Sequence, residues 1–310
     1  MPSNQNPLGA PPARFRRPRV LIVGCGDVGL RAARVLGRQV RLLALTSSPA
    51  RAPLLRAAGA MPLAGDLDDD ATLARLAGLA THVLHLAPPP AHGEQDPRTA
   101  ALAHALARRT RPRALVYVST SGVYGDCGGA WVSETRPVAP ATPRALRRVH
   151  AEEALRALGR LGVRVGILRA PGIYAADRPS GTPRERLLRG TPVLRAEDDV
   201  YVNHIHADDL ARACVATLWR GAPQRIYHAS GEDGLRMGEY FDLAADLYGL
   251  PRPPRVSRAD AQALLPPALL GFMGASRRLV NRRLREELRL RLRYPTVRLG
   301  LMALPPDQWG

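Results

Sequence analysis

The apolar run Val20-Leu21-Ile22-Val23 stops at Gly24-x-Gly26-x-x-Gly29 and then opens into helical periodicity, and no other stretch constrains the fold of this chain so tightly. Four consecutive apolar residues, most of them β-branched, read as a strand buried on both faces. Each glycine then answers a different need. Gly24 lets the chain reverse sharply, Gly26 has no Cβ to hold a pyrophosphate off the backbone, and Gly29 lets the next helix lie close to the sheet. The free N–H groups of a helix starting near Asp27 and Val28, with its positive dipole end, then face the phosphates. A glycine triplet alone is what any tight turn shows. Its place after a strand, before a helix and near the start of the chain points to a dinucleotide cradle.

Strand and helix signals alternate from residue 19 onward, which predicts an α/β fold: a Rossmann-type doubly wound parallel sheet with a smaller C-terminal substrate lobe. Strands are expected at Val20–Val23, Val40–Leu45, Met61–Ala64, His82–Leu86, Ala114–Ser119 and Val163–Arg169. Helical patterns fill the gaps at Val28–Leu36, Ala50–Ala58, Asp69–Ala77, Pro97–Arg108 and Arg144–Leu161. Asp69 or Asp70 is placed to cap its helix, and Pro97 suits a first-turn position. After Arg169 the pattern loosens into glycine- and proline-rich loops with shorter elements. These are a helix at Asp208–Trp219 capped by Asp208, a strand at Arg225–Ala229, and helices near Met237–Tyr248 and Ser276–Leu288. The expected division is a disordered tail over 1–18, a dinucleotide-binding domain over 19–170, a substrate lobe over 171–304 with some elements returning to the core, and a tail over 305–310.

The formal charge of +18 would ordinarily suggest nucleic acid, because clustered cations release counterions from a phosphate backbone. Every one of the 45 basic residues is arginine, however, and with abundant Ala, Leu, Pro and Gly this reads as coding bias in a GC-rich genome. The densest run, Arg277 to Arg298, interleaves leucines and Glu286–Glu287, the pattern of a solvated helix face. No apolar run approaches the roughly 20 residues of a membrane span, and the N-terminal segment lacks the apolar middle of a signal peptide. A cytoplasmic protein with no nucleic-acid and no membrane partner is therefore expected. Cys25, Cys127 and Cys214 are odd in number and form no CxxC pair, so neither a disulfide framework nor a zinc site is indicated. His204-x-His206-x-Asp208-Asp209 lies where a strand should run into a capped helix, and no metal is expected there.

A site that prefers NAD places Asp or Glu at the end of the second strand to bind the ribose 2′-hydroxyl. No acidic residue occurs between Asp27 and Asp66. The strand ends instead in Leu45-Thr46-Ser47-Ser48-Pro49-Ala50-Arg51, whose hydroxyls and arginine suit a 2′-phosphate, so NADP is expected ahead of NAD. Arg51 also has a plainer reading, as a solvated helix residue. Asp66, followed by Leu67, is placed either to accept from the adenine amino group or to cap a helix. Ala87 and Pro88 end the fourth strand where a cofactor would turn toward its nicotinamide, and His85 alternates into a buried face as a core histidine.

The chain resembles the short-chain dehydrogenase/reductase superfamily, in particular extended or atypical members of the NAD-dependent epimerase/dehydratase kind. The resemblance covers about residues 19–300. It is carried by the glycine turn, Gly65-Asp66-Leu67, the run Val116-Tyr117-Val118-Ser119-Thr120-Ser121-Gly122-Val123-Tyr124-Gly125, Leu168-Arg169-Ala170-Pro171-Gly172-Ile173-Tyr174, and Asn203-His204-Ile205-His206-Ala207-Asp208-Asp209-Leu210. The glycine spacing departs from the GxxGxxG usual in extended members. The resemblance implies catalysis by a Ser or Thr after the fifth strand and a Tyr-x-x-x-Lys on the following helix, the tyrosine moving a proton while hydride moves to or from the nicotinamide.

Thr120, four residues before Tyr124, matches the Ser/Thr position; its plainer reading is a strand-end hydroxyl satisfied by backbone. The dyad is missing: Arg144 falls at the tyrosine position and Arg148 at the lysine position, no tyrosine occurs from Gly125 to Ile173, and the chain has no lysine. Arg148 can grip ribose hydroxyls but stays protonated and relays no proton. Tyr124, Tyr174, His150 and His206 are the candidate donors, each with a structural alternative. Two functions remain open. One is an NAD(P)-dependent oxidoreductase or epimerase/dehydratase-like enzyme acting on a small carbonyl, hydroxyl or sugar-derived substrate, with a homodimer as an allowed assembly. The other is a catalytically silent NADP(H)-binding sensor or interaction protein.

Overall fold

The computed structural model describes residues 17–303, so most of the two expected tails lies outside the described residues. Seven strands form one parallel sheet: β1 (Arg19–Val23), β2 (Arg41–Thr46), β3 (Ala60–Ala64), β4 (His82–His85), β5 (Ala114–Thr120), β6 (Arg164–Ala170) and β7 (Arg225–His228). Their order is β7-β6-β5-β4-β1-β2-β3, every neighbouring pair parallel. The order reverses between β1 and β4, and that switch point opens a crevice at the carboxyl ends of the strands, beside the glycine turn.

The continuous apolar strands are buried on both faces, as parallel pairing requires. Val20 and Ile22 pack with Leu84, Val116, Leu168, Leu210 and Cys214 on one face, against α1 (Asp27–Leu36) and α7 (Ala207–Arg220). Leu21 and Val23 join Leu102, Leu106, Leu115, Tyr117 and Leu155 on the other, under α4 (Pro97–Ala107) and α5 (Pro143–Arg160). The remaining crossover helices, α2 (Ala52–Ala57) and α3 (Asp70–Leu73), are short, each joined to a turn of 3-10 helix, and α6 (Arg184–Leu188), also short, precedes α7 in the chain.

Helix starts follow local side-chain chemistry. Asp69 accepts from the N–H of Ala71 to cap α3; Asp96 caps α4 through Thr99 N, with Pro97 in the first turn; Thr142 caps α5 through Ala145 N. Two expectations need correction. The cap of α7 is His206, whose Nδ1 accepts from the N–H of Asp208, so Asp208 is freed for the first turn. The expected helix at Ser276–Leu288 divides: Arg278–Leu279 is a strand paired with Trp131–Val132, and only Arg282–Glu286 is helical. Tertiary pairing overrides propensity there, because Arg278 N and Val280 N donate to Ala130 O and Val132 O, and Leu279 N donates to Asn203 Oδ1.

Beyond β6 the chain builds a smaller apolar cluster that includes Tyr174, Leu194, Met237, Tyr240, Phe241 and Leu301. Part of the same stretch returns to the large sheet as β7 and α7.

Candidate functional site

The glycine turn shows why each glycine is there. Gly24 holds a φ of +80°, and a Cβ on it would stand 2.3 Å from Ala87 N, so the loop after β4 presses directly on the turn. A Cβ at Gly29 would meet Gly24 O and Cys25 Sγ at 3.3 Å, which keeps α1 tight against β1. At Gly26 a Cβ would meet nothing within 4 Å: its open side faces the crevice. Gly26 is also the N-cap of α1 and supplies no side-chain cap, leaving the first-turn N–H groups, Val28 among them, available to an anion. Cys25 is a packing residue, its thiol pushed up to about 11 by burial against the opposing effect of Arg51.

A groove of about 430 Å³ runs from Gly24 and Gly26 past Thr46, Ser47 and Arg51 to Asp66 and Leu67 on one side, and to Ala87 and Pro88 on the other. Nine residues expected at the cofactor thus share one surface. Arg51, half-buried, folds over the turn and donates from Nη2 to Cys25 O at 2.7 Å, so it is held at the groove rather than being a plain solvated helix residue. Thr46 Oγ1 accepts from Ser48 N, and Asp66 Oδ1 accepts from Asp68 N, which leaves the second Asp66 oxygen without a hydrogen-bond partner among the described residues. Asp68 pairs with Arg98 at the rim, which holds its carboxyl below the usual range. Asp27 is different: its carboxylate engages Arg31 and Arg178, both at 3.0 Å, so only its backbone remains for a cofactor.

At the other end of the crevice the pairing register sets the layout. His85 lies opposite Tyr117, so Ala87 falls level with Ser119, and Thr120 ends β5 one step further out. Thr120 Oγ1 accepts from Gly122 N at 3.2 Å and caps a turn of 3-10 helix over Ser121–Tyr124. Arg148 reaches back from α5, donating from Nη1 to Tyr117 Oη and Val118 O, each at 2.9 Å. Arg144, one turn earlier, stays exposed.

Tyr124 does not face this space. It is 1% exposed, and its hydroxyl donates to His228 Nε2 at 2.6 Å while His228 Nδ1 donates to Val280 O. Burial raises the Tyr124 phenol above its ordinary value and pushes His228 down to about 3, so the pair is neutral and structural. The other candidate donors are similarly committed. His150 Nδ1 accepts from Asp96 N, Tyr174 donates to Thr296 O, and His206 caps α7 and stacks on Tyr294. Among the described residues no cluster of His, Cys, Asp or Glu is arranged to hold a metal.

Sequence reading missed the pair that holds α5 to the sheet. Glu152 accepts from Arg169 Nε and Nη2 and from Ser119 Oγ, all buried. The register that sets Ser119 beside Arg169 is the signal that links them.

The model of the NAD dependent epimerase/dehydratase family matches residues 20–229, more than half of the chain. A conserved protein of unknown function from Silicibacter pomeroyi is 31% identical, over 94% of this chain and 99% of that one, with a TM-score of 0.77. UDP-glucuronic acid 4-epimerase from Bacillus cereus, solved in complex with NAD, is 17% identical over 94% of this chain and 98% of its own, at a TM-score of 0.73. UDP-glucose 4-epimerase from Thermotoga maritima, solved with UDP-glucose, is 18% identical over 91% of this chain and 96% of its own, at a TM-score of 0.74. At those identities the two epimerases establish the shared fold. No curated protein sequence matches. The strand order, the glycine turn and the extent of the match agree: the chain belongs to the NAD dependent epimerase/dehydratase family, whose members are NAD(P)-dependent enzymes.

Proposed function

We propose that the protein is an NADP(H)-dependent oxidoreductase of the epimerase-like kind, acting on a small carbonyl or hydroxyl compound such as a sugar derivative. One observation carries this reading: the open side of Gly26 lies on a groove that runs from the end of β2 to the end of β4. The residues fit the cofactor. Gly26 and the first turn of α1 would hold the pyrophosphate, Asp66 the adenine, and Thr46, Ser47 and Arg51 a 2′-phosphate, since no carboxylate stands at the end of β2. The Bacillus cereus relative was solved with NAD, so the preference for the phosphorylated form belongs to this chain's own residues.

Bound NADP(H) supplies the hydride donor or acceptor. Thr120 keeps its hydroxyl hydrogen for a substrate oxygen, because its own oxygen already accepts from Gly122 N. Arg148 presents the rest of its guanidinium toward ribose hydroxyls and places a fixed positive charge near the reacting oxygen. It binds and orients without moving a proton. Three free cysteines fit a reducing, cytoplasmic setting, and the assembly consistent with the reading is a homodimer working on a small molecule rather than on nucleic acid.

Isothermal titration tests the cofactor. NADP(H) should bind more tightly than NAD(H), and Arg51→Ala should narrow the gap by about ten- to a hundredfold; tighter NAD(H) binding overturns the preference. A second reading, a silent NADP(H)-binding protein, is favoured by arginine at both dyad positions. A turnover panel of aldehydes and sugar nucleotides separates the two. An enzyme loses most of its activity in Thr120→Val, whereas a silent protein binds cofactor and turns over nothing.

A further inference from the structure

Two deeply buried arginines are neutralised by carboxylates. Arg31, 6% exposed, meets Asp27, Asp177 and Asp208, and Arg169 takes Glu152 in two hydrogen bonds. On the face of α5, Arg144, Arg147 and Arg148 are not matched in this way. Among the described residues none of the three pairs with a carboxylate, and Glu152, one turn further on, is taken by Arg169. Arg147 Nε and Arg148 Nε are buried with no hydrogen-bond partner. Arg144, exposed on the first turn of α5, makes no hydrogen bond among the described residues. Gathering three guanidinium groups without an anion is costly, since like charges repel and Arg147 and Arg148 also lose hydration.

The location of the unpaired charge decides its meaning. α5 leaves the carboxyl edge of the sheet after β5 and returns to the start of β6, so its first turn lies at the catalytic end of the crevice. Arg148 touches Val118 O; Arg144 lies four residues nearer the edge, about 6 Å along the helix, which matches the advance of about 6.6 Å from Val118 to Thr120 along β5. Arg148 therefore lies level with Val118, and Arg144 level with Thr120 at the carboxyl edge of β5. Arg147 is turned aside, 7% exposed and donating to Gly93 O.

We infer that Arg144, seconded by Arg148, receives an oxyanion of the substrate, a carboxylate or phosphoryl group carried next to the reacting carbon. The substrate is then an acid or a phosphate ester rather than a neutral aldehyde or sugar. A guanidinium fork suits either group, since both present two oxygens to parallel N–H donors. The inference rests on the oxidoreductase reading and narrows its substrate class.

Isothermal titration of the NADP-saturated protein with inorganic phosphate and, separately, with oxalate tests it. Wild type should bind one of the two at a single site, and which one it prefers tells a phosphoryl from a carboxylate substrate. Arg144→Gln should weaken that binding by about ten- to a hundredfold, while Arg144→Lys should keep part of it. Arg38→Gln, an exposed arginine outside the crevice, controls for the general charge of the chain and should leave it unchanged. NADP affinity, measured on the same samples, should be the same in wild type and Arg144→Gln. Equal anion affinity in wild type and Arg144→Gln, or no anion binding by wild type, overturns the inference while the cofactor reading stands. Failure of wild type to bind NADP(H) overturns the oxidoreductase reading instead.

Discussion

Two glycines of one turn make opposite demands, and substitution should separate them. Gly26→Val adds a side chain into open space on the groove, so the protein should fold normally and lose dinucleotide binding, read by titration beside an unchanged circular dichroism spectrum. Gly24→Ala forces a Cβ onto Ala87 N at a φ of +80°, so it should cost about 2 kcal/mol or more in urea unfolding. Tyr124 gives a third contrast. Tyr124→Phe strands His228 Nε2 in the core and should cost about 1–3 kcal/mol, with turnover of any substrate found left intact. A Tyr124→Phe protein of normal stability and no turnover would return that hydroxyl to the chemistry.

Among the elements, α5 carries both the anchor and the candidate catalytic arginines. Glu152→Gln keeps the shape of the anchor but leaves the Arg169 charge buried and unpaired, so urea unfolding should show a loss of about 3–5 kcal/mol. β4 and β7 contribute a pH dependence. Burial lowers His85 and His228 to about 3, and His82, with help from Arg164 and Arg113, to about 4, against an ordinary value of 6.5. These rings are neutral when folded, while the unfolded chain takes up protons below 6.5. Their contribution is complete above that pH and is lost as pH falls toward 3, so the urea midpoint should drop between pH 7 and pH 4.5. A midpoint that holds steady across that interval would show the rings to be more accessible than their burial implies.

Across the whole molecule, Arg31 joins parts that are distant in sequence. It sits on α1, pairs with Asp27 beside the glycine turn, and holds Asp177 and Asp208 of the C-terminal half. Arg31→Gln leaves three carboxylates facing one another. It should cost about 1.5–3 kcal/mol and weaken cofactor binding as well, because Asp27 opens the helix that faces the crevice. Unfolding and titration on the same variant check both effects; a loss of stability with unchanged cofactor affinity would confine Arg31 to holding the lobes together.

The glycine turn, the alternation of strands and helices, and caps such as Asp69 and Asp96-Pro97 were legible in the sequence because backbone stereochemistry and residue periodicity act within a few residues. So were the absence of lysine and of any tyrosine from Gly125 to Ile173, since these are matters of which residues the chain contains. Tertiary structure alone decided that Arg51 closes over Cys25 O, that Tyr124 spends its hydroxyl on a histidine 104 residues away, and that Arg278–Leu279 pairs as a strand. It also decided which arginines find carboxylates and which, at Arg144 and Arg148, do not. Each of these depends on a partner brought close only by packing, and local pattern carries no record of a partner that far along the chain.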